Sequence, residues 1–299
     1  MEHVGSTFLC GCAPYFDMIF FAKELDEFTD KDIENSSFFL VSQDDWGKYE
    51  FAAAWSAIAM ATTKHPGANR VVVAVSPRGA YWEVDPETLE EVSGVISSAE
   101  NTLRAATTID HTIYACGMGR TVLCRRGPGN WVEVGPSELH VEVNSVIGFE
   151  DLAGFSVDDM YAVGWLGEIW CFKNGTWRQI DSPVSANLNA VFCAPDGKVY
   201  IVGDDGVMLR GRDDVWEVLE TDRTDNLMDV AHNDNTIYVS TDFEILKLDN
   251  GTLVAEDAFE HADDVPATCL HLLSAVDGLV SMGPKDLFRL HAGVWERLV

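Results

Sequence analysis

One short phrase recurs five times in this chain. Residues 113–131 read IYACGMGRTVLCRRGPGNW, 161–177 read YAVGWLGEIWCFKNGTW and 200–216 read YIVGDDGVMLRGRDDVW. Two looser copies follow, YVSTDFEILKLDNGTL at 238–253 and VSMGPKDLFRLHAGVW at 280–295. Each copy is an apolar run, a turn bearing Gly or Asp, a second apolar run, another turn, and a Trp or Leu that opens a third. Such a period constrains the fold more than any composition figure, because no single unit can cover its own apolar faces without neighbouring copies.

The clearest copy spans 188–221. Runs at 188–193, 199–202, 207–210 and 215–219 are rich in Val, Ile, Tyr, Leu and Trp, and Gly/Asp turns at 194–197, 203–206 and 211–214 separate them. Four short strands with tight turns make one antiparallel sheet. The second strands align on Val73, Tyr114, Tyr161, Tyr200, Tyr238 and Val280, at spacings of 41, 47, 39, 38 and 42 residues. The fourth strands align on Leu89, Trp131, Trp177, Trp216, Leu253 and Trp295, each 15 to 17 residues after its partner. Tight spacing inside a unit with looser spacing between units predicts an all-β chain: a single β-propeller domain over 1–299, built of four-stranded antiparallel blades. The strand-two and strand-four anchors are expected to face neighbouring blades. Within 1–54, runs at 7–12, 16–21, 38–41 and 49–53 predict a degenerate first blade, with the charged stretch 24–34 as a short helix or loop. That makes seven blades, the favoured count. The alternative is six, with 1–54 as an N-terminal extension. The ring is expected to close by packing the first blade on the last.

The chain has 299 residues, 49 of them Asp or Glu against 20 Lys or Arg, a formal charge of -29. A field of that sign repels nucleic acid and anionic membrane and speeds encounters with basic proteins. Acidity of this kind also keeps a large β-protein soluble. The seven cysteines are an odd number, and Cys116, Cys124, Cys171, Cys193 and Cys269 fall in predicted strands, where Cys acts as a small apolar residue. Reduced thiols in a cytoplasm are expected. Glu2 and His3 stand where a secretion signal carries basic residues, and no stretch approaches the ~20 apolar residues of a membrane span.

Residues 159–170, DMYAVGWLGEIW, followed by Asn174-Gly-Thr-Trp177, resemble the repeat of photosystem-assembly-factor-like propellers, and 199–216 fit the same pattern. The resemblance holds over about 110–220 and thins toward both ends. It implies a propeller, and members of that group serve mostly as binding or assembly modules.

Catalytic signatures are lacking. The carboxylate pairs Asp44-Asp45, Asp158-Asp159, Asp204-Asp205, Asp213-Asp214 and Asp263-Asp264 sit in predicted turns, where Asp bonds nearby backbone amides. Cys10-x-Cys12 and Cys269-x-His271 supply two ligands each, and Asn233-Asp-Asn235 lacks the bidentate Glu of a calcium loop. No phosphate loop or nucleophile elbow is present. No catalytic residue, metal or cofactor is expected. The telling feature is an asymmetry. Turns between strands two and three share a propeller face with the links between blades. On that face the C-terminal half collects Asp204, Asp205, Glu220, Asp222, Asp225, Asp242, Glu244, Glu256, Asp257, Glu260, Asp263 and Asp264. The link 255–267, AEDAFEHADDVPA, is acidic and interrupted by Phe259. An acidic rim around an exposed aromatic suits a charge-steered interface. The resemblance, taken with this charge, implies three functions in descending order: a non-catalytic bacterial immunity-type protein, monomeric on its own, that neutralises a basic toxin domain, as compact propellers of this loose kind do; a scaffold for a larger complex; and an enzyme at the channel mouth.

Overall fold

The structure is a computed structural model that describes residues 5–99, 101–136, 147–261 and 264–299. Among them, 28 strands form seven four-stranded antiparallel sheets in sequential order, the seven blades of a β-propeller. Blade 5 consists of Leu188–Cys193, Val199–Gly203, Met208–Arg212 and Val215–Leu219. The degenerate N-terminal blade is complete: Ser6–Tyr15, Met18–Leu25, Ser36–Ser42 and Asp45–Ala53, with a four-residue helix at Asp26–Thr29. The six-blade alternative is thereby set aside.

Local chemistry explains the turns. Asn174-Gly175 and Asn250-Gly251 join third to fourth strands as two-residue loops with φ of 52° and 79°, and of 50° and 89°. Both central residues are left-handed, the geometry that matches strand twist, and Asn-Gly reaches it at the least cost. The repeated Gly-x-x-Gly between strands two and three has a different cause. A Cβ on Gly164 or Gly203 would stand 1.8 or 2.2 Å from the carbonyl oxygen of Gly148 or Asn187, and one on Gly167 or Gly206 would stand 2.1 or 2.3 Å from that of Val184 or Arg223. The links between blades pass so close to these turns that only hydrogen fits.

The chain divides into two compact units, 61–227 and 1–60 with 228–299. In the first, blades 3, 4 and 5 are joined by two apolar clusters. Tyr161 on the second strand of blade 4 meets Trp216 on the fourth strand of blade 5 edge-on, at 6.2 Å between centroids. In the second unit, Tyr238 of blade 6 and Trp295 of blade 7 repeat that contact at 6.0 Å. In these two pairs the recurring Tyr and Trp of the sequence are the two halves of one inter-blade contact, worth roughly 0.5–1.5 kcal/mol beyond the area each buries. The first blade packs on the last in this unit. Phe8 N–H donates to Pro284 O at 2.9 Å, Phe16 N–H to the Asp277 carboxylate at 2.9 Å, and Phe8, Ile19 and Phe21 share a cluster with Val280, Met282 and Leu287.

Two local expectations change. Leu89 is no strand anchor: it lies in a turn at φ 62°, 67% exposed, and the fourth strand of blade 2 is Glu91–Val95. Asp85 accepts the N–H groups of Glu87 and Thr88 and so holds a longer turn than the other blades use. Cys269 precedes the strand His271–Ser274 rather than lying in it, so Cys269 and His271 do not alternate along one strand. All seven cysteines are free thiols.

Candidate interaction surface

In the unit 61–227, Asp204-Asp205-Gly206 forms the tip between the second and third strands of blade 5. Asp204 is half-buried and committed to the fold: its carboxylate accepts the side-chain N–H groups of Asn187 and Asn189, each at 3.0 Å. Asp205 is exposed, with φ 57° and ψ 31°, and its N–H donates to Asn226 Oδ1 at 3.2 Å. The link that follows the blade runs alongside, tied down where Thr221 Oγ1 donates to Gly206 O at 2.7 Å. It displays Glu220 and Asp222, both exposed and neither in an ion pair among the described residues. Asp225 is also exposed, but Arg223 grips both its oxygens, at 2.8 and 2.7 Å, and holds the carboxyl below its usual range. The structure thus brings Asp205, Glu220 and Asp222 to one tip and its adjoining link as exposed, uncompensated charge.

The same tip one blade earlier is Trp165-Leu166-Gly167. Leu166 has φ 56° and ψ 31°, and its N–H donates to Asn187 Oδ1 at 3.1 Å. A side chain larger than Asn or Asp in this left-handed region costs roughly 1–2 kcal/mol. Leu166 is nevertheless 65% exposed. The next residue, Gly167, closes on Val184 and Ser185, and residues 182–186 with Asp205 and Val207 line a shallow cleft. Sequence reasoning passed over Leu166, Asn187 and Asn226, although VGWLG and VGDDG align Leu166 directly with Asp205.

In the unit 1–60 with 228–299, the acidic link departs from expectation. Phe259 is half-buried, not exposed. It packs edge-on against Phe288 at 5.9 Å and pairs in parallel with Trp295. Glu260 N–H donates to Trp295 O at 2.9 Å, and Trp295 N–H to Ala258 O at 2.8 Å. The open edge of the outermost strand recruits the link, because its unpaired amide and carbonyl groups need partners. Glu256 also turns inward, with a side chain 2% exposed. It accepts Lys247 Nζ at 3.1 Å and the N–H groups of Asp257 and Ala258 at 2.7 and 2.9 Å. Asp257 is 87% exposed and bonded to Lys247 at 2.9 Å, which lowers its pKa. Asp264 is paired with Arg297, which also holds Asp286 at 2.6 Å. Glu260 is exposed, and Asp263 lies outside the described residues. The most exposed aromatic among the described residues of this unit is Phe243, 68% exposed between Asp242 and Glu244 at the tip of blade 6. Its turn is held by Thr241, whose hydroxyl accepts the N–H groups of Phe243 and Glu244 at 3.2 and 3.0 Å.

Many of the paired carboxylates are consumed by structure. Asp213 binds Lys173 and Tyr161, Asp159 binds Arg212, and Asp44 binds Arg289. Asp151, on the first strand of blade 4, accepts Val191 N–H from blade 5 at 2.8 Å. Burial, with Glu150 adjacent, pushes its carboxyl up to about 7. Among the described residues no three His, Cys, Asp or Glu side chains are grouped to hold a metal ion, and no helix is long and apolar enough to cross a membrane.

No protein-family model matches the chain. It is 32% identical over 305 residues to the Immune protein Tsi7 of Pseudomonas aeruginosa, an alignment that covers 97% of this chain and 96% of that protein. Among solved structures it is similar to YCF48 bound to D1 peptide, with a TM-score of 0.69 at 13% identity over 96% of this chain and 94% of that one. It is also similar to the extracellular domain of a protein described as a hybrid two component system, BT3049 of B. thetaiotaomicron. That match has a TM-score of 0.65 at 10% identity and covers 96% of this chain and 39% of the other. At these identities the structural likenesses speak to the fold alone.

Proposed function

This chain belongs to the family of the Immune protein Tsi7, and from that premise we propose that it binds and neutralises a basic toxin domain through exposed carboxylates on its strand two–three tips and inter-blade links. The near-complete alignment with an immunity protein carries the proposal. The formal charge of -29 supports the basic character of the partner. So does the placement of Asp205, Glu220 and Asp222, which are exposed and spent on no ion pair among the described residues. Charge of this kind raises the encounter rate with a basic domain toward ~10⁸–10⁹ M⁻¹s⁻¹ at low salt.

The chain acts by occupying the toxin, not by chemistry of its own. Seven free thiols, most of them buried, support action in a reducing cytoplasm. There the chain, a monomer on its own, pairs with one toxin domain. Growth protection tests the reading. A candidate basic toxin domain, chosen from the genes flanking this chain's own, is expressed with and without the chain, and the complex is sought by gel filtration. Protection with a one-to-one complex is the expected result. Growth arrest unrelieved by the chain, with no complex at micromolar concentrations, would reject it.

A further inference from the structure

We propose that Leu166 is the apolar anchor of the interface, the residue that an apolar side chain of the basic partner covers. This rests on the toxin-binding reading above and adds to it where on the unit 61–227 the partner is gripped. Three observations converge on the residue.

The backbone comes first. Leu166 and Asp205 hold the same left-handed conformation at equivalent tips, φ 56° and 57° with ψ 31° for both. Asn187 and Asn226 hold their N–H groups in the same way. Asp is among the side chains that tolerate this conformation, and Leu is not. The fold therefore gains nothing from leucine here, and a strained residue at a surface is a pointer to a role outside folding.

Exposure comes second. At 65% accessible, Leu166 leaves most of its side chain in water, so core packing does not explain it either. Its neighbour Gly167 closes on Val184 and Ser185, which with the rest of residues 182–186, Asp205 and Val207 line a shallow cleft. An exposed apolar knob bordered by a shallow cleft of mixed apolar and polar walls is the form that an interface centre with a polar rim takes.

Charge comes third and selects the occupant. Asn187 bonds both Leu166 and Asp204, so the apolar tip is continuous with the acidic tip of blade 5. Asp205 itself lines the cleft, and Glu220 and Asp222 lie on the link pinned to that tip. An apolar centre with an acidic rim fits a basic surface that carries an apolar projection. It does not fit an acidic protein or a nucleic acid backbone.

The test is Leu166→Asn, which suits the left-handed backbone and removes the apolar side chain. Its control is Val215→Asn, at a residue 78% exposed in the same unit but at the opposite end of the strands of blade 5. The probe is the purified candidate toxin domain of the growth-protection test, with affinity read by calorimetry and folding by thermal denaturation. Leu166→Asn is expected to melt at the same temperature as the wild type or higher, and to bind at least tenfold more weakly. Val215→Asn is expected to bind within twofold of wild type. Leu166→Asn binding within twofold of wild type overturns the anchor and leaves the toxin-binding reading standing. Equal loss in both variants overturns it as well. A wild-type protein that does not bind the domain removes the reading and the anchor together.

Discussion

Asn187 joins two blades with one side chain: its Oδ1 accepts the N–H of Leu166 at 3.1 Å, while its Nδ2 donates to the Asp204 carboxylate at 3.0 Å. One amide thus fixes an exposed apolar tip and orients the neighbouring acidic one. Asn226 reaches back in the same way to Asp205 N–H.

Removing that clamp should cost stability and order. Asn187→Ala leaves Leu166 N–H without its acceptor and deprives Asp204 of a donor, a loss of about 1–2 kcal/mol. Chemical denaturation would register it as a lower midpoint with an unchanged slope. Asn189→Ala, which removes another donor to Asp204, should act in the same direction.

The inter-blade aromatic contact is worth more. Trp295 is 1% exposed and meets Tyr238 edge-on. Trp295→Ala should destabilise by roughly 3–5 kcal/mol, the range for emptying a site of this size. Trp295→Phe should cost much less, and the difference between the two in a denaturation series measures the packing.

Asp151 gives stability a pH dependence of unusual sign. Its folded pKa of about 7 lies above the ordinary value of 3.8, so between those values the folded chain holds a proton that the unfolded chain has lost. Stability from this group is therefore complete below pH ~4 and is lost as pH rises to 7, by up to a few kcal/mol. Asp151→Asn keeps an acceptor for Val191 N–H and removes the buried charge. It should raise the melting temperature at pH 8 and leave it little changed at pH 4.

His271 works in the opposite direction. Burial lowers its pKa from 6.5 to about 4, so it stays neutral in the folded chain while the unfolded chain takes up a proton below pH ~6.5. Stability is lost as pH falls from 6.5 toward 4. His271→Gln should flatten that limb of a stability-against-pH curve, with the Asp151 limb unchanged.

Charge steering predicts a kinetic signature. Asp205→Asn, Glu220→Gln and Asp222→Asn together should slow association with the candidate toxin domain by about tenfold at low salt and reduce its salt dependence, with a smaller change in dissociation. Stopped-flow measurement across a salt series would show it. A dissociation rate altered more than the association rate would instead point to direct contacts.

Much of the fold was legible because its determinants are local and repeated. Tyr161 and Trp216 sit at fixed places in their copies, and so do the Asn-Gly turns and the Gly pairs. Period alone predicted which strand each would occupy. Leu89 misled because apolar character matched the anchor position while Asp85, four residues earlier, captured the backbone into a longer turn. The candidate surface was legible in part. Asp205, Glu220 and Asp222 are as exposed as turn chemistry suggests, whereas Glu256 and Phe259 carry the same acidic and aromatic character and point inward.

The sequence by itself determined the blades, since alternating apolar runs and turn residues act over a few bonds and each copy repeats the same instruction. Which carboxylates remain free, and which side chain stands uncovered at a strained tip, was decided only by tertiary structure. Ion pairs such as Asp264 with Arg297, 33 residues apart, and the recruitment of the 255–267 link to the edge at Trp295 depend on partners that folding brings near and the linear chain keeps distant. Whether a charge is spent or exposed is a property of its neighbours in space.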